Sequence, residues 1–552
     1  MSHASPVGRV VAGLATSTRP ARHVRRGSFA AALVLVAAML AGCGGGGAAP
    51  KPFAVLPPSG SGGTGGTPGT PLPPPQGQAP TWILDAITHE RAPLYGAFPS
   101  DLVRFGTTLF AVDADQVEAA GAWILPYDID GDGPVPSATY VPVHIGPDDL
   151  VDGLGQPANP SAPIGFGFYL NEMEVVDERL GFLLANAGGS DSSPPLSNLL
   201  VFDPRTGQVR QTVNLVRGYA SPDTLLDSSG AVVLGNAFQQ SGAEALAYVA
   251  TSPTRGKLYV AMSNLIVGAP SYGAVKYPGT IQVFDVDTTG DPIVTLTDDP
   301  AGLATRTLRT GAFNPVSLDV VADALGGFGG PRLLVTLGGT TGYDASFNLV
   351  PVTPAAVEVH DATTAAYLGS FQLGLVGLVS RPAIGRDGAG HRVAYFPSGV
   401  TGEVYSLWID GLFGLATDPT RLAVLRGPLD GIPVAGPSGS PGGNLAGIGL
   451  APDGDVLVVS GFGDFFANRP GRLVLASLPY DVVADRTVGA GFTPGLTEFA
   501  TVEGRTLGGV VLDPNPGTRP DVYVNVSGTL DDFGLGASGA SVGSLTTHGL
   551  ID

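Results

Sequence analysis

Short apolar runs of about six residues recur along the chain, and many of them end in a polar turn that opens on aspartate. The clearest example is the segment 256–287, in which the runs KLYVAM and TIQVFD are joined by a loop that contains Gly and Pro. Runs of this length, rich in β-branched and aromatic residues and bounded by Gly, Pro and Asp, predict strands rather than helices. The segment therefore predicts an antiparallel strand pair followed by a turn.

The same pattern repeats along the rest of the chain. Seven units each contain an inner, a middle and a third strand, and successive middle strands are about 60 to 76 residues apart. The predicted middle strands are residues 108–113, 180–186, 257–262, 332–337, 392–397, 455–460 and 521–526. The predicted third strands are residues 122–128, 198–203, 280–285, 356–361, 403–410, 472–477 and 541–548. Units that cannot bury an apolar face alone stack on one another, so the sequence predicts an all-β, seven-bladed β-propeller of four-stranded blades.

The last predicted blade has no fourth strand of its own. Residues 82–88, with the sequence WILDAIT, form an apolar run before the first unit that has no partner there. An unpaired strand edge invites association with other chains, so we expect this N-terminal strand to complete the last blade and close the ring. Outer strands of other blades are predicted at residues 208–215 and 421–425. The predicted propeller domain spans residues 81–552.

Composition and charge narrow the range of functions. The chain has 552 residues with 82 Gly and 49 Pro, and a formal net charge of −20. Removal of residues 1–42, which carry five Arg and no acid, would take this charge to −25. Such acidity opposes binding to nucleic acid and to bare anionic lipid. The chain has one Cys, which excludes an intrachain disulfide, a CxxCH haem site and a CxxC zinc site.

Residues 1–42 have the features of an export signal. Several Arg residues precede an apolar run at 29–40, which is shorter than the roughly 20 residues of a membrane-spanning helix. The run ends in Leu40-Ala41-Gly42-Cys43, which resembles the lipobox of bacterial lipoproteins. The resemblance implies cleavage before Cys43, a diacylglycerol thioether on its sulfur, and a location at the cell envelope. Gly44 stands where an Asp would retain the protein at the inner membrane, so the resemblance implies the outer membrane, with the face left open.

The alternative for Cys43 is an incidental residue beside an ordinary cleavage site. Residues 43–80 are nearly all Gly, Pro, Ser and Thr and cannot bury a core. This segment is predicted to be a flexible, disordered tether between the lipid and the propeller domain.

The turns FDPRTG at 202–207 and FDVDTTG at 284–290 resemble those of the broad β-propeller superfamily, including YVTN/NHL-like and quinoprotein-like blades. The Trp that quinoprotein blades carry after the Gly is missing, and Arg210 and Gln211 stand there instead. The resemblance therefore implies the fold and no one activity, because propellers serve binding, lactonase, hydrolase and redox functions alike.

Asp128, Asp130 and Asp132 have the spacing that opens a calcium-binding loop. The twelfth position of that loop is Thr139 rather than the usual bidentate Glu. The alternative is that Asp128 starts a turn by accepting backbone N–H groups. Asp residues at the matching place in other units support this alternative: Asp203, Asp285 and Asp361. Calcium is the only cofactor for which the sequence gives a candidate site.

The five His residues beyond the leader are scattered along the chain, and none falls at metal-ligand spacing from another. His360 occupies a position that Tyr127, Phe202 and Phe284 fill in other units, which predicts a packed strand residue rather than a ligand.

Long loops at residues 217–242, 264–278, 338–354, 428–443 and 462–470 carry aromatic residues beside Gly and Asn. The candidate partner-binding residues are Tyr219, Tyr272, Tyr343, Phe347, Phe465 and Phe466. The alternative is that these aromatics cap their own blades.

Two functions remain open. The sequence favours a non-enzymatic, lipid-anchored binding module for a protein or glycan partner over an enzyme. The alternative is a divalent-metal-dependent lactonase or hydrolase, with carboxylates or amides that converge at the mouth of the central channel.

Overall fold

A computed structural model describes the strands and their connections over much of the chain. The described residues are 83–84, 92–93, 99–113, 122–130, 133–152, 168–187, 196–220, 225–226, 232–234, 237–266, 274–275, 278–297, 307–322, 330–343, 349–378, 380–400, 404–409, 445–461, 472–478, 481, 497–500, 507–512, 521–526 and 544–551. The predicted signal peptide, Cys43 and the tether lie outside these ranges, as does the outer strand predicted at 421–425.

The described part of the chain is built from short antiparallel strands. Two strands of two residues come first: β1 (Ile83–Leu84) and β2 (Ala92–Pro93). The first sheet contains β3 (Pro99–Phe105), β4 (Thr108–Asp113), β5 (Ala122–Asp130), β6 (Gly133–Pro136) and β7 (Val143–Ile145), and a 3-10 helix follows at Pro147–Asp149. The second sheet contains β8 (Phe168–Asp177), β9 (Leu180–Ala187), β10 (Leu196–Asp203) and β11 (Gln208–Asn214). Two hairpins follow it, formed by β12 (Arg217–Ala220), β13 (Leu225–Leu226), β14 (Val232–Leu234) and β15 (Ala237–Gln240).

The next two sheets each enclose a small hairpin. The third sheet and its hairpin contain β16 (Ala243–Ser252), β17 (Arg255–Met262), the hairpin strands β18 (Leu265–Ile266) and β19 (Ala274–Val275), then β20 (Thr280–Asp287), β21 (Val294–Leu296) and β22 (Thr307–Arg309). The fourth contains β23 (Pro315–Val321), β24 (Arg332–Leu337), the hairpin strands β25 (Thr341–Tyr343) and β26 (Leu349–Pro351), then β27 (Ala355–Asp361) and β28 (Tyr367–Gly374).

The remaining strands form three further sheets. One has three strands, β29 (Ala383–Arg386), β30 (Arg392–Pro397) and β31 (Val404–Trp408). The next has four strands, β32 (Leu445–Leu450), β33 (Val456–Gly461), β34 (Arg472–Ser477) and β35 (Thr497–Ala500). The last contains β36 (Leu507–Leu512), β37 (Asp521–Val526) and β38 (Ser544–Ile551), with β1 and β2 paired to β38.

This arrangement confirms the predicted strands and corrects the number of complete blades. The predicted inner, middle and third strand of each unit pair as one antiparallel sheet. Among the described residues, however, five sheets have four or five strands from one continuous stretch of chain and form complete blades, where the sequence predicts seven. The sheet of β29, β30 and β31 has three strands, and the last sheet takes its fourth strand from the other end of the chain. In that sheet, Ile83 and Leu84 pair with Ile551 and Leu550, where the sequence predicts the N-terminal strand.

The core lies between successive sheets rather than inside any one of them. Phe110 and Phe202 belong to a buried cluster that joins the first and second sheets, and Phe284 belongs to one that joins the second and third. Further clusters join the third sheet to the fourth and the fourth to the three-stranded sheet. Tyr523 of the last sheet packs with Leu109 of the first, so the stack of sheets returns to its beginning. An all-β ring of sheets packed face to face is a β-propeller.

The inner strands share an irregularity near their starts. The pairing register shifts near the start of β3, β8, β16, β23, β32 and β36, which are all first strands of their sheets. A bulge of this kind bends a strand and redirects the side chains beside it. In the described ranges, these first strands also contact one another from β3 to β8, β8 to β16, β16 to β23, β29 to β32, β32 to β36 and β36 to β3. The first strands therefore line the centre of the ring. No helix in the described ranges is long and apolar enough to cross a membrane.

Candidate functional site: a charged cluster at the centre of the ring

Four acidic residues and one arginine from separate sheets meet at the centre of the ring. Asp101 lies on β3, Glu172 and Glu174 lie on β8, Asp319 lies on β23, and Arg381 lies two residues before β29. The guanidinium of Arg381 is 3.2 Å from the Glu172 carboxylate and 2.8 Å from that of Asp319. Side chains from the first strands of different sheets can meet only in the space that these strands surround. The cluster therefore marks the centre of the propeller.

Arg381 is the hub of this cluster. Its Nε donates to Oδ1 of Asp319, and its Nη1 lies beside Oε1 of Glu172. The other carboxylate oxygen of Asp319 accepts the hydroxyl hydrogen of Ser317 at 2.7 Å. A planar guanidinium presents several donors in fixed directions, so it can bind two carboxylates at once. Arg381 in this way links the second sheet, the fourth sheet and the three-stranded sheet.

The other two acids tie neighbouring first strands together. One carboxylate oxygen of Asp101 accepts the backbone N–H of Leu102, and the other accepts that of Met173 on β8, both at 2.8 Å. Glu174 accepts the backbone N–H of Tyr248 on β16, also at 2.8 Å. These bonds satisfy backbone donors that face the centre of the ring, where β3, β8 and β16 have no further strand to pair with.

Burial shifts the pKa values of the cluster. Burial raises the pKa of Asp101 and raises that of Glu172 well above its ordinary value, although Arg381 opposes both shifts. Burial likewise raises the pKa of Glu174 to about 7, against the opposing charge of Arg381. Burial alone would lower the pKa of Arg381, but the charges of Glu172 and Asp319 outweigh it and raise that pKa. The arginine is therefore charged, and part of the acid set is protonated near neutral pH.

The bulge in β8 explains how Glu172 reaches the centre. The pairing of β8 with β9 jumps from Leu170 to Met173, which leaves Asn171 and Glu172 outside the regular ladder. A bulged residue is released from the strict alternation of strand faces. Glu172 in consequence lies beside Arg381, with its side chain only 11% exposed.

The arrangement is suited to holding sheets together more than to binding a cation. In the described ranges, no three of these carboxylates bring oxygens within metal-ligand distance of one another. A guanidinium already lies between Glu172 and Asp319, at the position where a cation would gain most from their charge. The cluster nevertheless carries more acids than bases, and burial of these acids is the main cause of their raised pKa values.

The structure places part of the predicted calcium loop. Oδ1 of Asp128 accepts the hydroxyl hydrogens of Thr108 and Ser137, both at 2.7 Å, and Oδ2 accepts the backbone N–H of Ala138 at 2.9 Å. These hydrogen bonds lower the pKa of Asp128, although burial acts in the opposite direction. They fit the turn interpretation of Asp128. The side chain of Asp130 and all of Asp132 lie outside the described residues, so calcium binding stays a prediction.

The aspartates at the matching turns divide into two groups. Asp203 accepts the backbone N–H groups of Arg205 and Thr206, and Asp361 accepts those of Thr363 and Thr364, as a turn-starting residue should. Asp285 does not start its turn, because β20 continues for two more residues and Asp287 accepts the N–H of Thr289 instead. Asp285 is paired with Lys257 at 3.0 Å across the strands.

His360 is a packed strand residue, as the sequence predicts. It is 2% exposed in β27, its Nε2 lies 3.3 Å from Glu358, and its ring meets the edge of Tyr367. For the aromatic loop residues, the structure gives only the backbone of Tyr219 in β12 and of Tyr343 in β25. Tyr272, Phe347, Phe465 and Phe466 lie outside the described residues, so their role in partner binding stays a prediction.

The central cluster was missed by sequence reasoning. Its members come from four separate segments of the chain, and Arg381 lies outside any strand. The sequence carried one signal, an acidic residue inside the apolar runs EMEVV at 172–176 and VSLDVV at 316–321, where two-residue alternation predicts one polar face. Nothing local showed that Arg381 would meet them.

No family model matches the chain, and no curated protein matches it in sequence. Among solved structures, hydrazine synthase of Kuenenia stuttgartiensis aligns at 12% identity and a TM-score of 0.38 over 84% of this chain and 98% of its own. The Dos1 propeller aligns at 8% identity and a TM-score of 0.41, over 85% of this chain and 95% of its own. A europium-containing methanol dehydrogenase aligns at 9% identity and a TM-score of 0.36, over 85% of this chain and 92% of its own. With TM-scores this low, none of these likenesses carries an argument about family or activity, and the propeller assignment rests on the chain's own sheets.

Proposed function

We propose that this chain is a lipid-anchored, seven-bladed β-propeller that acts as a non-enzymatic binding module for a protein or glycan partner at the bacterial cell envelope. The blade count adds two sheets to the five continuous blades. They are the three-stranded sheet of β29, β30 and β31 and the sheet that β1 completes. Both contain the inner, middle and third strand that define the other blades, and the contacts of β29 with β32 and of β36 with β3 support counting them as blades.

The observation that carries the binding function is the position of Arg381. In the alternative, a metal-dependent lactonase or hydrolase, carboxylates at the central channel would hold a divalent cation. Here the carboxylates of Glu172 and Asp319 bind a guanidinium instead, and Asp101 and Glu174 bind backbone N–H groups. The described centre thus serves as an internal tie, which leaves the loops on the faces of the propeller for recognition.

The lipid anchor is proposed from Leu40-Ala41-Gly42-Cys43 and the tether of residues 43–80. Anchoring at the outer membrane would confine the propeller to the vicinity of its partner, and the tether would let it search nearby. Stable anchoring of this kind follows from covalent acyl chains rather than from the protein's surface, which is strongly acidic.

The anchor is tested with the full chain expressed in a bacterial host. The wild-type protein should fractionate with membranes and carry a diacylglycerol mass increment on Cys43. The Cys43→Ser variant should lose both. Membrane fractionation without a mass increment in the wild-type protein would contradict the anchor.

The binding function is tested by two measurements on the purified mature chain. A panel of lactones and esters, with and without a chelator, should show no turnover, and Arg381→Lys should show none either. Glycan arrays and crosslinking within intact envelopes should identify a partner whose binding weakens in a Phe465→Ala, Phe466→Ala double variant. Turnover that a chelator abolishes would overturn the proposal in favour of the hydrolase.

A further inference from the structure

A second cluster of ionisable side chains lies away from the central one, between the three-stranded sheet and the next sheet. Asp387 and His391 flank the turn from β29 to β30, and Asp481 lies four residues after β34. Nδ1 of His391 is 3.2 Å from Oδ2 of Asp387 and 3.4 Å from Oδ1 of Asp481. One ligand atom from each of the three residues lies within 4.8 Å of the other two.

The two separations from Nδ1 of His391 match edges of a metal coordination shell. A tetrahedral ion with bonds of about 2.0 to 2.1 Å to nitrogen and oxygen has ligands about 3.3 to 3.4 Å apart. A single ring N–H can point its hydrogen at only one carboxylate oxygen. A cation between the three atoms would instead accept a lone pair from each, and its charge would balance the two carboxylates.

Hydrogen bonds within the turn fix the position of the Asp387 carboxylate. Its Oδ1 accepts the backbone N–H of His391 at 2.8 Å, which leaves Oδ2 directed at the imidazole. The backbone N–H of Asp387 also donates to the carbonyl of His391 at 2.9 Å. Gly454, from the turn between β32 and β33, lies so close to the carbonyl of Arg386 that a Cβ atom there would overlap it. The Asp387 turn is thus fixed by its own hydrogen bonds and by the neighbouring sheet.

A buried hydroxyl group without a hydrogen-bond partner lies on the strand that follows the Asp387 turn. Tyr395 is fully buried on β30, and its hydroxyl has no hydrogen-bond partner in the described structure. Tyr395 lies four residues after His391 and pairs with Ala383 on β29. Burial, and to a lesser extent the charge of Asp387, raises the pKa of Tyr395. Unpartnered buried hydroxyls are uncommon, and a missing water or ion is an ordinary explanation for one.

Access and chemistry fit a metal ion as well. The side chains of His391 and Asp481 are 35% and 34% exposed, so an ion can enter and water can complete its shell, whereas the side chain of Asp387 is fully buried. The ring of Trp408 lies edge-on to that of His391, with centroids 6.0 Å apart, and limits rotation of the imidazole. One imidazole and two carboxylates suit divalent zinc and its first-row neighbours.

We propose that Asp387, His391 and Asp481 form a binding site for one divalent transition-metal ion, which joins the three-stranded sheet to the sheet that follows it. The site does not depend on the proposed binding function. It lies at the opposite end of β29 from Arg381 of the central cluster, and on other elements than the predicted calcium loop. Bound metal would stabilise the contact between these two sheets.

The test uses the full mature chain, stripped of metal with a chelator and titrated with Zn²⁺ by calorimetry. We expect one zinc site that depends on these residues and a rise in the melting temperature on binding. Asp481→Asn and His391→Gln should each lower its affinity at least about tenfold, since even residues that only support metal ligands cost about that much. Co²⁺ in place of Zn²⁺ should give visible ligand-field absorption that both variants lose.

A matched control is His144→Gln, because His144 also packs against a Trp ring, with centroids 4.5 Å apart, but belongs to no such cluster in the described structure. This variant should bind Zn²⁺ like the wild-type protein. Asp481→Asn preserves the shape of its side chain and keeps the test valid even where His391→Gln does not fold. The proposal is overturned by a wild-type chain that binds no Zn²⁺, or by binding that survives in Asp481→Asn and disappears in Asp132→Asn.

Discussion

At the scale of single residues, the central cluster makes Arg381 a structural cation. Arg381→Ala would leave Glu172 and Asp319 facing each other in a largely buried space with no counter-charge. Loss of one partner from a fully buried ion pair costs about 3 kcal/mol or more. The side chain of Arg381 is itself 45% exposed, so water screens part of this cost. We expect the free energy of unfolding to fall by about 1 to 3 kcal/mol in chemical denaturation.

Arg255→Ala provides the comparison for this change. Arg255 pairs with Asp287 at 3.6 Å, and its side chain is 72% exposed. Exposed pairs contribute about 0 to 1 kcal/mol, so this variant should unfold almost like the wild-type protein. Equal losses in the two variants would mean that Arg381 is not the counter-charge of the cluster.

The same cluster predicts a dependence of stability on pH. The pKa values of Asp101, Glu172 and Glu174 are raised in the folded protein, and that of Glu174 is raised to about 7. Between its ordinary value of 4.5 and about 7, the folded state therefore holds a proton on Glu174 that the unfolded state has released. The stability that Glu174 contributes is then complete below pH 4.5, falls as the pH rises to about 7, and is constant above it.

Glu174→Gln isolates this contribution, since glutamine keeps the shape of the side chain and does not titrate. Denaturation midpoints measured from pH 4.5 to pH 8 should decline less steeply in the variant than in the wild-type protein. Identical slopes would show that Glu174 does not titrate in this interval.

At the scale of elements, close packing between strands depends on small residues at particular positions. Gly181 on β9 lies directly opposite Phe202 on β10, and a Cβ atom at Gly181 would overlap the buried ring of Phe202. Gly181→Ala should lower the free energy of unfolding by about 1 to 3 kcal/mol, because the added methyl group would force the fully buried ring of Phe202 to shift.

Gly369→Ala is the matched control for this prediction. Gly369 lies in the outer strand β28, and a Cβ atom there meets nothing within 4 Å. This substitution should be neutral or slightly stabilising, because alanine restricts the unfolded chain. Thermal unfolding of both variants provides the measurement, and a Gly181→Ala variant as stable as Gly369→Ala would contradict the packing described.

The strands that sequence analysis located best are those with a local signal. The middle strands β4 and β37 begin and end where the apolar runs TLFAVD and DVYVNV predict them. Asp285 was assigned the wrong role because β20 continues for two residues beyond it. The alternation of apolar and polar residues continues through these two positions, and the second of them, Asp287, is also an aspartate. The pairs Arg381 with Glu172 and His391 with Asp481 join residues about 210 and 90 positions apart, and only the ring of sheets brings them together.

At the scale of the whole molecule, the junction between the chain's two ends should control its association. β1 and β2 cover the outer edge of β38. A chain that begins at residue 97 lacks both strands and should show a lower melting temperature and self-association, since β38 would present an open edge. A chain that begins at residue 80 should remain as stable and as monodisperse as the mature protein, measured by thermal unfolding and light scattering.

Because Ile83 pairs with Ile551, the first and last strands of the chain lie side by side. The position of the chain break in the ring therefore does not determine which sheets are neighbours. A short linker between residues 551 and 83 would make the backbone circular without moving a blade. New termini could then be cut in a surface loop between any two sheets. Such circular permutants would carry the same ring with their termini at a different blade, and so join any attached segment to another edge of the propeller.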